Sequence, residues 1–435
     1  MLAPSIEAMP AREIATVHQE AWPAQWEYVR GHSVFYQSKF GAAVGPSLPL
    51  NRIAELPLTD KGELRESSQR CPPFGDHLAC DPRLVVRLHR TSGTTGGAVN
   101  IAWTEQDAGV TARVGARAMF AAGLRPGDRV VHCLNYCLWT GGVTDHLSLE
   151  ATGAMVIPFG VGNTRRLLHT IEELGVTAIS CTPSYPALKE KVLSESGRNP
   201  RELGLQLALF GGEGGLDHEE FREKLEQTWG FQVRNANYGL SEVLSQFAGQ
   251  CPLSNDLHFH AGAVVLAELL DPDKSTTLPV EAGNRGELVL TNLRRQAQPL
   301  VRYRTGDIVT VTDTDPCQCG RTSWRFRIAG RTDDMFNVRG INVFPTAISE
   351  VLAAAGDLTS GQFRVTLRGP GPYDRIEMKV EAASSLGERE FDGASMALEQ
   401  RVREHIGATA AVSMVPHMSL PRTDGKTSWI ERTRE

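Results

Sequence analysis

Several absences narrow this sequence before any motif is read. No apolar stretch approaches the roughly 20 residues that a membrane-spanning helix needs. The run from Ala263 to Leu270 is representative: it is short and already contains Glu268. Eight cysteines in 435 residues are too few for a disulfide scaffold. No phosphate loop of the form Gly-x-x-x-x-Gly-Lys-Ser/Thr is present, nor any internal repeat or low-complexity tract. Positive charge is not in excess. There are 45 Lys and Arg against 51 Asp and Glu, a net charge of -6, which argues against a nucleic-acid module but leaves room for a local basic pocket. The N-terminal MLAPSIEAMP has no basic flank followed by an apolar core, so no secretory signal is expected. A cytoplasmic protein with no membrane or nucleic-acid partner is the simplest reading.

The residues that are present can build a sizeable core: 41% are hydrophobic and 22% charged, over a length that suits roughly two to four units of ordinary domain size. Residues 1 to about 85 are mixed, with Trp22, Trp26, Tyr28, Phe35 and Tyr36 spaced as helical packing positions. From about 128 to 242, apolar runs alternate with helix-like stretches. The runs are 128–136, 154–160, 177–184 and 205–212. Asn163 can cap one helix, with Leu167, Leu168, Ile171 and Leu174 on a face and Gly175 as the stop; Asp217 can cap another that ends at Gly230. That alternation predicts an α/β domain with a parallel sheet, in which ligands sit beyond the carboxyl ends of strands. From about 263 to 312 short runs with turns between them predict a small antiparallel β subdomain. The last hundred residues read as a small α+β domain, with helices over 344–355 and 395–406 and a closing strand over 410–415. The boundary is expected near Arg331 to Asp334, giving domains 1–332 and 333–435.

The most chemical segment is Thr91-Ser92-Gly93-Thr94-Thr95-Gly96-Gly97, four hydroxyls and three glycines in seven residues. Glycines let backbone approach an anion, and N–H groups with hydroxyls can ring phosphate oxygens. By itself this could equally be a plain flexible turn. It is followed in order by Gly211-Gly212-Glu213, Tyr238-Gly239-Leu240-Ser241-Glu242 and Tyr303-Arg304-Thr305-Gly306-Asp307. Then come Gly330-Arg331-Thr332-Asp333-Asp334, Arg339 to Pro345, and Leu420 to Lys426. This series resembles the adenylate-forming superfamily of acyl-CoA synthetases and adenylation domains. The branch it is most similar to is the phenylacetate–CoA ligase family, which PLTDKGELRE (57–66), YCLWTGGVTDH (136–146) and TPSYPAL (182–188) also resemble.

The resemblance implies a reaction in two halves: a carboxylate attacks the α-phosphate of ATP to give an acyl-adenylate and pyrophosphate, and a thiol, usually that of CoA, then displaces AMP. It places Thr91, Ser92, Gly93, Thr94, Thr95 and Gly96 on the β- and γ-phosphates. Tyr238 would stack on adenine beside Gly239, with Gly212 and Glu213 on the other side of the base. Ser241 would meet the α-phosphate, Glu242 would ligate Mg²⁺, and Asp307, grouped with Arg331, would accept both ribose hydroxyls. Lys426 would bridge the α-phosphate and the substrate carboxylate during adenylation, and Asp333 would be the hinge of a mobile C-terminal domain. The acid pocket would be lined by Tyr136, Trp139, Thr140, Gly141 and Gly214, which suits an aryl or arylacetic acid; Arg90, His89 or His146 could meet a ring substituent.

One position departs from the branch. A lysine usually follows the last glycine of the phosphate loop, and here the residue is Gly97; Arg90 is the candidate substitute.

Cys251, His258, Cys317 and Cys319 form a Cys₃His set suited to a structural Zn²⁺, with His260 a weaker alternative ligand; the competing reading is four unrelated surface residues. The other cysteines, Cys71, Cys80, Cys133, Cys137 and Cys181, read as small buried apolar side chains. The expected partners are an aromatic acid and CoA, with a second copy of the chain possible. The alternatives are transfer to the phosphopantetheine of a carrier protein, adenylylation of a deazaflavin phenol with no thioester step, or a nucleotide-binding regulator that has lost turnover.

Overall fold

A computed structural model describes residues 1–41, 45–91, 98–195, 197–213, 216, 219–271, 274, 276–332, 334–339, 341–369, 373–421 and 429–433. It divides into two compact units. One comprises Met1–Gly212, Thr228–Thr305 and Val309–Arg327; the other comprises Glu213–Gln227, Gly306–Ile308 and Ile328–Glu435. Among the described residues no helix is long and apolar enough to cross a membrane.

In chain order the first strands are β1 (Val85–Arg90) and β2 (Asn100–Thr104), an antiparallel pair. The expected alternation follows as β3 (Arg129–His132), β4 (Met155–Pro158), β5 (Ala178–Cys181), β6 (Leu207–Gly211) and β7 (Gln232–Leu240). These pair in parallel in the order β4-β3-β5-β6-β7. Val130, Val131, Ala178, Ile179, Ala208 and Leu209 are buried, as parallel strands covered on both faces require. The antiparallel runs are β8 (Leu244–Cys251), β9 (Ser254–Phe259), β10 (Val265–Leu270), β11 (Thr277–Leu278), β12 (Arg285–Asn292), β13 (Tyr303–Asp313) and β14 (Arg325–Arg331). They are hydrogen-bonded onto the parallel strands, so that both sets form one twelve-stranded sheet with β7 and β8 as the join. Gly306, at φ 76°, lies inside β13 and does not end it.

Local signals place the helices. Asn163 accepts a hydrogen bond from the Arg166 N–H at 3.0 Å and caps helix Thr164–Glu173, which buries Leu167, Leu168 and Ile171. Asp60 and Glu63 form a capping box at the start of helix Lys61–Arg70. Four of the five early aromatics pack together: Trp22, Trp26, Phe35 and Tyr36 share a core with Phe40, Leu48 and Leu293, whereas Tyr28 stays half-buried and donates its hydroxyl to the Ala79 carbonyl at 2.9 Å. Each such side chain contributes about 1.5–3 kcal/mol relative to exposure.

The second unit contains β15 (Phe336–Val338), β16 (Ile341–Val343), β17 (Thr359–Arg368), β18 (Ile376–Ala382), β19 (Ala410–Val415) and β20 (Ile430–Thr433). The last four form a sheet in the order β19-β18-β17-β20. Helices Pro345–Ala353 and Phe391–Ile406 contribute Ile348, Leu352, Leu398 and Val402 to a core shared with Phe363, Val365 and Val380.

The cysteine reading needs correction at two positions. Cys133 and Cys181 are buried and Cys80 is half-buried, but Cys71 and Cys137 are exposed. Cys71 terminates helix Lys61–Arg70, and Cys137 sits in the turn after β3, where its N–H donates to Asn135 Oδ1 at 2.8 Å. Neither backbone position faces a core.

Candidate functional site

Three loops follow the carboxyl ends of β3, β5 and β6, where open α/β sheets bind ligands. Tyr136 and Trp139 follow β3, Thr182 and Ser184 follow β5, and Gly212 follows β6. Gly212 holds φ 82°, and a Cβ there would lie 3.5 Å from the Trp139 ring, so the residue type keeps the space beside that ring clear. Helix Thr140–Glu150 starts directly after Trp139. His132 anchors its first turn: Nε2 faces the Gly141 and Gly142 carbonyls at 3.1 and 3.0 Å, and Nδ1 faces Ser180 Oγ at 3.1 Å. Burial lowers the His132 pKa to about 4, so the ring is neutral and donates through Nε2.

A polar chain runs along one side of this helix. The Tyr136 hydroxyl lies 3.0 Å from His146 Nδ1, and His146 Nε2 lies 3.0 Å from Glu150 Oε1. Burial raises the Tyr136 pKa, which keeps it a phenol. Asp145 on the same helix is buried, and its pKa is raised by that burial. It accepts from Ser245 Oγ at 2.9 Å and from Asn237 Nδ2. Sequence reading named Tyr136 and His146 but missed Asp145; a lone carboxylate within the small-residue stretch TGGVTDH was the available signal.

The β7–β8 hairpin carries the next motif. Tyr238 meets Phe247 and Phe326 edge-on, with ring centroids 5.0 and 5.6 Å away. A Cβ on Gly239 would stand 2.0 Å from the Ser245 carbonyl oxygen, so the closeness of the two strands demands glycine. Thr140 Oγ1 donates to Ser241 Oγ at 2.5 Å, which ties the hairpin to the helix after Trp139. Glu242 is buried, and its Oε1 lies 3.0 Å from Lys61 Nζ. Buried Arg295 donates to the Val243 carbonyl at 2.7 Å.

Thr91 is fixed at the mouth of the glycine and hydroxyl loop: its N–H donates to the Val99 carbonyl, and its Oγ1 accepts from the Val99 N–H, both at 3.0 Å. Arg90 turns its Nε onto Asn100 Oδ1 at 2.8 Å. In the second unit Arg331 is ion-paired with Asp307, and the Thr332 N–H donates to the Gly306 carbonyl at 2.7 Å. Glu213 belongs to that unit as well. Ser92, Gly93, Thr94, Thr95, Gly96, Gly97, Gly214, Asp333 and Lys426 lie outside the described residues.

Cys251, His258, Cys317 and Cys319 come together, all four ligand atoms lying within 4.8 Å of one another. A tetrahedral Zn²⁺ with bonds of about 2.3 Å to sulfur and 2.0 Å to nitrogen sets ligand–ligand edges of about 3.5–3.8 Å. The observed edges are 3.9 Å for Cys251 Sγ to Cys317 Sγ, 3.4 Å for His258 Nε2 to Cys251 Sγ and 3.9 Å for His258 Nε2 to Cys319 Sγ. The four donors therefore fit such an ion. The other ring nitrogen of His258 faces Ser323 Oγ at 3.4 Å. His260 stands outside the set; it stacks on His258, and its carbonyl accepts from Arg117 at 2.8 Å. The turn that carries Cys317 and Cys319 is braced by the start of the chain. Arg321 Nε is 2.7 Å from Glu7 Oε2, and Thr322 donates its N–H to the Glu7 carbonyl and its Oγ1 to the Met9 carbonyl.

Comparison with known proteins yields three kinds of match. Residues 48–293 match the family model described as AMP-binding enzyme, and residues 340–434 match that of the AMP-binding enzyme C-terminal domain. Phenylacetate-coenzyme A ligase of Thermus thermophilus is 33% identical over 98% of this chain and 97% of its own. The Pseudomonas putida protein of the same name is 34% identical over 88% and 84%. Among solved structures, 2-hydroxyisobutyryl-CoA ligase in its postadenylation state with 2-HIB-AMP has a TM-score of 0.89 and 29% identity, covering 99% of this chain and 92% of that one.

Proposed function

The chain belongs to the phenylacetate–CoA ligase family of AMP-binding enzymes and is an AMP-forming acid–CoA ligase; from that premise we propose that its acid is aromatic, an aryl or arylacetic carboxylate. The observation that carries this is the Trp139 ring, which stands beside Gly212 where the parallel strands end. A flat apolar wall with cleared space beside it suits a flat ring. The phenol of Tyr136, with its own proton engaged by His146, offers an oxygen to a substituent on that ring.

The residue roles belong to the same proposal. The Thr91–Gly96 segment holds the β- and γ-phosphates, Tyr238 and Gly239 take one face of adenine, Gly212 and Glu213 take the other, and Ser241 meets the α-phosphate. Asp307 accepts the ribose hydroxyls, and Arg331, paired with it, holds the carboxylate in place. Glu242 supplies a carboxylate oxygen to Mg²⁺, whose contribution when bound is to neutralise phosphate charge. Lys426 joins the α-phosphate to the attacking carboxylate, so that a lone pair of the acid meets phosphorus in line with departing pyrophosphate. The C-terminal domain, from residue 333 on, turns at Asp333 to exchange Lys426 for the segment near Arg339–Pro345 when the CoA thiol attacks. Zn²⁺ at Cys251, His258, Cys317 and Cys319 staples β8, β9 and the turn after β13; four protein ligands leave no open coordination position for chemistry.

An ATP–pyrophosphate exchange assay over a panel of acids tests the reading. Aryl and arylacetic acids should drive exchange, and CoA should then be consumed. Faster exchange with small 2-hydroxy acids would overturn the aromatic assignment.

A further inference from the structure

We infer that Asp145 is a specificity-determining residue of the acid site and that it recognises an amino group on the ring of the aromatic acid. The inference rests on the aromatic-acid reading above and narrows it to amino-substituted aryl and arylacetic acids.

The helix that follows Trp139 delivers Asp145 to this place. In helix Thr140–Glu150, Asp145 stands one turn after Gly141 and shares its face. A Cβ on Gly141 would lie 3.3 Å from the tip of the Trp139 ring and 3.4 Å from Asp145 Oδ2. The ring and the carboxyl oxygen therefore border one point, and a flat molecule lying against the ring brings an edge to Asp145. Asn237 reaches the same carboxyl group from the sheet. Gly211, the last residue of β6, pairs with Asn237 on β7, and a Cβ on Gly211 would stand 2.5 Å from that of Asn237. Glycine at 141 and 211 is what lets a helix and a strand bring these polar groups together. Asp145 itself is fully buried, while Trp139, Gly212 and Asn237 beside it are half-exposed.

The polarity of the pair selects the ligand. A carboxylate has about four acceptor positions. Ser245 Oγ donates to Oδ1 at 2.9 Å and Asn237 Nδ2 donates to Oδ2, which leaves about two. Asn237, its nitrogen turned to the carboxylate, keeps Oδ1 as a further acceptor. The positions left over accept and do not donate. An amino group carries two N–H bonds on one nitrogen and can meet both residues; a hydroxyl has one to give, and a methyl group none. Burial raises the Asp145 pKa, and the bonds from Ser245 and Asn237 oppose that rise. A further N–H turned on the group favours the carboxylate in the same way. Those two partners are neutral. An amide at 145 would tie the helix to the β7–β8 join without the desolvation cost of a carboxylate; the carboxyl group gains its use when a donor arrives.

ATP–pyrophosphate exchange by the full-length protein tests this with acids paired by size. Each isomer of aminobenzoic and aminophenylacetic acid is set against the methyl-substituted acid of the same pattern, on wild type, Asp145→Asn and Asn237→Leu. In the wild type, kcat/KM for the best amino-substituted acid should exceed that of its methyl partner by about 10- to 100-fold, the range of a hydrogen bond to a charged group. Asp145→Asn should lower that ratio by about 10-fold, and Asn237→Leu should lower it as well. A purely structural role would lower the melting temperature and weaken both members of each pair alike, leaving the ratio where it was; that outcome overturns the inference. If Asp145→Asn does not fold, Asn237→Leu, at a half-exposed position, carries the same comparison. Exchange driven by no aromatic acid overturns the aromatic reading together with this one. Exchange driven by the methyl partners as fast as by the amino-substituted acids overturns this one alone.

Discussion

At one end of β8 stands Cys251, within a set of three thiols and an imidazole whose donor atoms already sit at tetrahedral spacing. Just before its other end stands Glu242, a hard oxygen donor whose cationic partner is still half in water. The eight extended residues of β8, roughly 25 Å, separate a cluster of four donors from a single buried carboxylate. The difference lies in what each shell has left to offer. Four soft donors that together fill one zinc ion's coordination sphere would serve to hold strands together, whereas a lone oxygen donor with an accessible counter-charge would leave coordination positions open to a substrate.

The comparison can be broken at either end. The largest effect is expected from Lys426→Ala, which should cut acyl-adenylate formation on the order of 10³-fold, as loss of a group that stabilises the transition state does. Thioester formation from supplied acyl-adenylate should survive. A Cys317→Ser variant with the same loss of adenylation at undiminished stability would erase the distinction between the two ends. Next comes metal removal. Elemental analysis should find about one zinc per chain. Stripping it should lower unfolding free energy by about 4 kcal/mol relative to protein held at free zinc about 1,000-fold above its dissociation constant. The surviving folded fraction should keep its turnover number; a turnover lost before the fold is lost would make the thiol end catalytic. Asp307→Ala should raise the KM for ATP by about 10²-fold, equivalent to about 2.7 kcal/mol, with the KM for the acid unmoved. An unchanged ATP requirement would remove Asp307 from the nucleotide.

The smallest effect is a pH slope. His132 is ordinary in the unfolded chain, near 6.5, but its pKa is lowered to about 4 in the fold by burial. The unfolded chain therefore binds the proton first. Stability is whole well above pH 6.5 and declines as pH falls toward 4, by about 2 kcal/mol at pH 5 from this residue. Denaturant melts of His132→Asn should show a shallower decline between pH 6.5 and 5 than the parent chain; an equal slope would refute the assignment.

Much of the fold was written in local patterns. Parallel strands buried on both faces give unbroken apolar runs, so β3, β5 and β6 were readable from Val130, Ile179 and Leu209 and their neighbours, and Asn163 announced its helix together with the apolar face of Leu167, Leu168 and Ile171. The thiol cluster was readable because its residue types are scarce and their chemistry is narrow. What escaped notice depended on contacts between distant segments. Nothing near Lys61 distinguishes it from any solvated lysine at a helix start; only the meeting with Glu242 does. Asp145 likewise gains its meaning from Asn237 and Ser245, one on each strand of the sheet join. Cys71 and Cys137 were misread because exposure is decided by where a helix stops and a turn begins, which composition does not record.

The bracing of the Cys317–Cys319 turn by Glu7 and Met9 carries a practical consequence. Trimming the leading nine residues, a routine step when a shorter chain is prepared, would strip the counter-ion from Arg321 two positions past a sulfur ligand. What looks like a dispensable leader is a strut, and a chain shortened there should bind added zinc more weakly at Cys251, His258, Cys317 and Cys319 while all four residues remained in place.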